Sequence, residues 1–137
     1  MATWQIKNAF KEEIGSETHD LTADSLKVML TNTAPSVANS VKADLTEIAD
    51  GNGYTAGGTA LTGVTFSQAG GTATLAFGTD LVFTASGGAI ATFRYLELYN
   101  DTAAADELIA HLDYGAPVDL ADGEGFTLTA GTIFTLA

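Results

Sequence analysis

The chain has 137 residues, seventeen carboxylates against five lysines and arginines, a formal charge of −12, two histidines and no cysteine. That balance sets aside a nucleic-acid backbone and an anionic membrane surface as partners, since both are polyanions. The length suits one domain that can bury a core without disulfides or structural metals, and 46% hydrophobic residues is the content of a globular chain.

The opening residues, MATWQIKNAFKEEIG, lack the apolar stretch of a signal peptide, and no run approaches the ~18 apolar residues of a membrane span. Ile6, Phe10 and Ile14 recur every fourth residue, with Lys7, Lys11, Glu12 and Glu13 on other faces and Gly15 next. The spacing predicts a short amphipathic helix with a glycine stop. Residues 1–15 are expected to form an N-terminal arm on a single domain of residues 1–137. Leu26, Val28 and Leu30 alternate with Lys27, Met29 and Thr31, the period of a half-buried strand. From Pro35 to Asp50, Val41, Leu45 and Ile48 follow Asn39 and Ser40 as candidate caps, which predicts a loop carrying one or two helical turns.

The texture then turns to β. GNGYTAGG at 51–58 reads as a turn-rich connector. Strands are predicted over Ala60–Ser67, Thr72–Phe77, Leu81–Thr84, Ile90–Tyr99, Leu108–Tyr114, Phe126–Ala130 and Thr132–Leu136, all rich in Thr, Val, Phe and Tyr. Ile90–Tyr99 is apolar on both faces, with Phe93, Tyr95 and Tyr99 on one and Leu96 and Leu98 on the other, which predicts a strand packed against a second subunit. The fold class expected is mainly β: an antiparallel sandwich, jelly-roll-like, with one or two short helices in the N-terminal third.

Chemistry finds no foothold. GSETHD at 15–20 places Ser16, His19 and Asp20 in a row, but triads are assembled from distant positions, so the stretch reads as a loop. There is no G-x-S-x-G elbow and no phosphate-binding glycine loop with its lysine. His111 reads as a surface or interface histidine. The carboxylates of Asp119–Glu124 and Asp50–Asn52 read as solvated turn residues, since neither stretch matches a calcium loop. The expectation is a protein that is not an enzyme, with no catalytic residue, cofactor or metal. The absence of cysteine is compatible with synthesis in a reducing cytoplasm.

The segments GNGYTAGGTAL (51–61), ATFRYLELYNDT (91–102), LIAHLDYG (108–115) and FTLTAGTIFTLA (126–137) carry a resemblance. With the opening NAFKEEIG and the strand SLKVMLTN they run in the order of a family of small virion proteins of tailed bacteriophages, which this chain resembles over almost its whole length. The resemblance implies a structural protein of the decoration, or cement, type on the outer surface of the head, made in the host cytoplasm. Its partners would be the major capsid protein and further copies of itself, grouped as a homotrimer. Two other roles share the context: a tail-associated protein of tube, terminator or fibre base, and a glycan-binding host-attachment module.

Six residues are nominated for protein contacts. Trp4, Ile6 and Phe10 would face the capsid, because aromatic anchors dominate interface energetics. Arg94, Tyr95 and Tyr99 lie on the strand apolar on both faces, with Arg94 poised for a carboxylate or an aromatic ring.

Overall fold

The centre of the computed structural model, which describes residues 3–137, is a long hairpin: β7 (Ile90–Asn100) and β8 (Leu108–Leu120) pair antiparallel. β2 (Leu26–Thr31) adds beside β7 and β1 (Trp4–Ile6) beside β8, and β3 (Thr59–Ala60) completes a five-stranded sheet. A second sheet has the order β10 (Gly131–Leu136), β5 (Thr72–Phe77), β4 (Thr65–Ala69), and β6 (Leu81–Thr84) pairs with β9 (Gly125–Leu128). Every pairing is antiparallel. The protein is therefore mainly β, as its short Thr- and Phe-rich segments predict. β5 and β6 have the predicted boundaries, while Ala60–Ser67 divides into β3 and β4.

Alternation builds the core. Leu26, Val28 and Leu30 of β2, Leu96 and Leu98 of β7, and Ala110 and Leu112 of β8 face the same way. They pack with Leu75 and Phe77 of β5, Phe83 of β6, and Ile133 and Phe134 of β10. Phe93 joins this core with Leu96, although simple alternation puts it with Tyr95; β7 and β8 lose register between Phe93 and Tyr95, and that irregularity changes its side.

The opposite face of the central sheet is also buried, and here two expectations change. β2 is not half-buried, because Met29 and Thr31 are as enclosed as their neighbours. Nor does β7 need a second subunit: Tyr99, with 1% of its surface exposed, packs with Met29 and Leu108 under Leu45 of the same chain. The cover is the segment 33–48, laced down by Asn8 N–H donating to Val37 O (2.9 Å), Leu108 N–H to Ser40 O (2.9 Å) and Ile48 N–H to Leu30 O (3.1 Å). It carries one 3₁₀ turn, Lys42–Asp44. The carboxylate of Asp44, in place of Asn39 or Ser40, caps that turn by accepting from Ser40 and Val41 N–H.

Of the N-terminal arm expected over residues 1–15, residues 1 and 2 lie outside the described residues, and the rest is docked on the domain. Ile6 lies on β1, and the helix α1 runs only over Asn8–Glu13. Strand pairing of Trp4–Ile6 with Ala110–Leu112 takes precedence over the four-residue spacing, and Phe10 is 0% exposed in the main core. The left-handed residue after the helix is Glu17 (φ 64°), not Gly15.

The connector at 51–58 needs its glycines. A Cβ on Gly58 (φ +79°) would lie 1.9 Å from Val28 O, on the backbone of the adjacent strand. Gly58→Ala combines that overlap with left-handed strain, and is expected to lower unfolding free energy by about 2 kcal/mol in urea titrations, with an unchanged m-value. A loss below about 0.5 kcal/mol would show that the connector yields freely.

Candidate functional site

Two polar clusters lie inside the fold and one aromatic corner lies on its surface. The first cluster is built where β1 ends: Lys7, β7 and β8 converge on the outer face of the central sheet. Glu97 and His111 are register partners, so their side chains stand side by side. Lys7 Nζ lies 2.9 Å from Ser36 O, 3.0 Å from His111 Nδ1 and 3.2 Å from Glu97 Oε1. The side chains of Lys7 and Glu97 are both 0% exposed. The contacts to Ser36 O and His111 Nδ1 are hydrogen bonds and that to Glu97 Oε1 is an ion pair; an ammonium only donates, which makes His111 Nδ1 an acceptor and leaves its proton on Nε2. Burial pushes Glu97 up, to about 8, with Lys7 opposing the shift, and pushes Lys7 down. Burial and the neighbouring Lys7 charge push His111 down to about 4. His111 is therefore an interior residue, not the surface or interface histidine expected from the sequence. The sheet face that should have met solvent is covered by residues 33–48.

The second cluster holds the other histidine. Asn100 Oδ1 accepts from the backbone N–H groups of Thr102 and Ala103, so its amide nitrogen is the donor, to His19 Nδ1 (3.0 Å) and Asp24 Oδ2 (2.6 Å). His19 Nε2 then faces Glu13 Oε2 at 3.4 Å. Burial lowers His19 and raises Glu13. Asp20 meanwhile accepts from Thr22 and Ala23, and Ser16 Oγ donates to Glu12 O. The three residues of GSETHD thus point to separate partners, in keeping with a loop.

The carboxylates considered for calcium serve turns. Asp122 accepts from Gly87 N–H (3.0 Å), Glu124 from Ala121 N–H (2.8 Å), Asp50 from Ala56 N–H (2.7 Å), and Asp119 from the Thr92 hydroxyl. Among the described residues, no group of three or more His, Asp or Glu side chains is arranged to hold a metal ion.

The surface corner forms where β7 and β8 lose register. Arg94 makes a two-point contact with Asp113, Nε to Oδ1 at 2.8 Å and Nη2 to Oδ2 at 3.1 Å, and its guanidinium lies 5.4 Å from the Tyr95 ring centre. The Arg94 hydrogen bond, with a further one from Gly115 N–H, holds Asp113 below the usual carboxylate range. Next along β8, Tyr114 is 50% exposed and stands edge-on to Phe126 (centroids 5.1 Å), which in turn meets Phe93 (5.3 Å). Arg94, held by an ion pair beside Tyr95, and Tyr114, edge-on to Phe126, are residue types enriched at protein interfaces.

Of the six nominated contacts, Arg94 and Tyr95 belong to this corner. Trp4 and Ile6 are half-buried against the main core, while Phe10 and Tyr99 lie inside the chain and present no surface to a neighbour. Sequence reading missed Tyr114, whose signal was an aromatic side chain at the end of the predicted strand Leu108–Tyr114. It also missed the partnership of Lys7, Glu97 and His111. The only hint of that was a lone glutamate on the face of β7 that carries Tyr95 and Tyr99. Comparison with known protein families, curated proteins and solved structures finds nothing that matches this chain.

Proposed function

We propose that this protein is a structural component of a tailed-bacteriophage virion, a decoration (cement) protein that binds the outer surface of the mature head through contacts with the major capsid protein. The observation that carries the reading is the exposed Tyr114, with the half-buried Tyr95 and the Arg94–Asp113 pair beside it along the β7–β8 hairpin, on an otherwise strongly acidic β-domain. A preformed aromatic and arginine patch loses little conformational freedom on docking. The resemblance of residues 51–61, 91–102, 108–115 and 126–137 to small virion proteins supports the same reading. A charge of −12 favours a basic patch on the partner and keeps the protein from the packaged nucleic acid.

The mechanism is mass action. A protein that binds only the expanded shell stabilises it by RT ln(1 + [L]/Kd) per site, about 4 kcal/mol at a thousandfold excess over Kd. Summed over a lattice of identical sites, that is enough to hold the shell against internal pressure.

Heads lacking the protein should assemble but burst at lower temperature, and adding the protein back should restore them. Tyr114→Ala should weaken head binding by about 2 kcal/mol, roughly 30-fold, while thermal unfolding of the free protein stays within a few degrees of wild type. Unchanged bursting, or unchanged binding by the Tyr114 variant, would overturn this reading. Copy number separates it from a tail role: hundreds per particle for a head protein, tens or fewer for a terminator or fibre base.

A further inference from the structure

The charge of this chain is distributed very unevenly. Residues 51–79 and 125–137 contain no Asp, Glu, Lys, Arg or His, in a chain with a formal charge of −12. Those segments supply all of the sheet β10-β5-β4, so that sheet carries no ionisable side chain. Its outer strand, β4, pairs only with β5, and no backbone hydrogen bond from any other described segment reaches it.

An open edge of this kind is a template for another strand, and proteins ordinarily guard such edges with charge, proline or irregularity. Several of the other edges here follow that rule. The free stretch of β8 carries Asp113, Pro117 and Asp119, β1 is three residues long and runs into Lys7, and β10 is broken in register between Thr132 and Phe134. β4, with the sequence Thr-Phe-Ser-Gln-Ala, is regular, exposed and unguarded.

Its pattern of free groups follows from the hairpin. Ala69 and Thr72 flank a two-residue turn whose Gly70 and Gly71 have φ of 60° and 88°, a type I′ turn. In such a hairpin the flanking pair exchanges both backbone hydrogen bonds, and successive pairs alternate. Within β4, Ala69, Ser67 and Thr65 therefore point their N–H and C=O toward β5, whereas Gln68 and Phe66 point theirs outward. A two-fold axis at Ser67 sets Phe66 opposite Gln68 of the second copy and Gln68 opposite its Phe66. Every outward donor of β4 then meets an outward acceptor of the second copy. An axis at Ser67 is the one that pairs both outward residues within the bounds of β4.

We propose that β4 is a self-association edge, across which a second copy of this chain pairs antiparallel about a two-fold axis at Ser67, joining two three-stranded sheets into one of six strands. The occupant is a second copy because two molecules of the same strong charge can approach closely only where neither carries any. Two carboxylates, Glu17 and Asp20, lie with Phe66 around a neighbouring surface depression, so salt should strengthen the contact by screening them. The inference is independent of the capsid reading, and it replaces the threefold grouping implied by the resemblance with two-fold closure.

The chain has no cysteine, so single thiols report the register directly. Residues that face each other without exchanging hydrogen bonds have Cα atoms about 4.5 Å apart, within disulfide reach. Under mild oxidation Ser67→Cys should form a covalent dimer. Thr65→Cys should not, because it faces Ala69 of the second copy. Sedimentation of the intact protein should show a dimer whose Kd weakens by about tenfold or more in Gln68→Pro, which removes an outward N–H but keeps the β4–β5 bonds. Circular dichroism checks that this variant stays folded. A wild-type protein that sediments as a monomer at ~100 µM, cross-linking at Thr65 in place of Ser67, or a dimer indifferent to both Gln68→Pro and Ser67→Glu would each overturn the proposal.

Discussion

Lys7→Met is expected to lower unfolding free energy by about 3–5 kcal/mol at neutral pH, a large part of the stability of a domain this size. The variant removes one nitrogen that three buried or half-buried acceptors share: Ser36 O, His111 Nδ1 and Glu97 Oε1. Neither Glu97 oxygen has a hydrogen-bond partner among the described residues, and Oε1 has only its ion pair with Lys7, so the carboxyl has nowhere else to turn. The pH dependence has a definite sign. Glu97 has a folded value of about 8, above its ordinary 4.5, so its contribution is fully present below 4.5 and lost as pH rises through 8. Without Lys7 the folded value rises further, and the loss continues into the alkaline range where wild type has levelled. The deficit of Lys7→Met should therefore widen above pH 8, by up to about 1.4 kcal/mol per unit. Urea unfolding at neutral pH and at a higher pH reads this directly. Lys7→Met combined with Glu97→Leu should be more stable than Lys7→Met alone, since a vacated pair is better filled with apolar groups than half-emptied. A double variant weaker than the single one would mean that Glu97 has a partner other than Lys7.

Phe10→Ala is the second large effect, at about 4 kcal/mol and a fall in Tm of roughly 12 °C or more. Phe10 is 0% exposed, stands edge-on to Phe134 with centroids 5.6 Å apart, and covers the His19 ring at 5.1 Å. Truncation leaves a hole bounded by β10 and the second histidine, neither of which has slack to close it. A residue on a detachable arm would give no change in Tm. Calorimetry on the single variant therefore distinguishes a structural N-terminal segment from a docking arm, and an unchanged Tm would contradict the packing described above. Trp4→Ala, at a half-buried edge strand, should cost clearly less than Phe10→Ala.

The two predictions converge on the same seam. Residues 4–13 hold the sheet at two points, through the strand pairing of Trp4–Ile6 and the burial of Phe10, with Lys7 between them. On the proposed reading, docking to a partner falls to the irregular part of the β7–β8 hairpin, where Arg94, Tyr95 and Tyr114 stand.

The strands were legible from the amino-acid sequence because their information is local. Period-two alternation in Leu26–Leu30, β-rich composition in Thr72–Phe77 and Leu81–Thr84, and Gly-rich turns between them each act over a few residues. The acidic balance, and its avoidance of residues 51–79 and 125–137, is likewise a property of the chain alone. What tertiary structure decided were the questions of which surface covers which. Ile6 satisfies a helical spacing and a strand equally well, and the vacant edge of β8 settled the choice. β7 reads as apolar on both faces whether a second subunit or residues 33–48 lie over it, and only the lacing of that segment to Leu30, Asn8 and Leu108 distinguishes them. Lys7, Glu97 and His111 are up to 104 residues apart. Their meeting depends on strand register, a long-range quantity that sets which side chains share a face and leaves no periodic trace in the sequence.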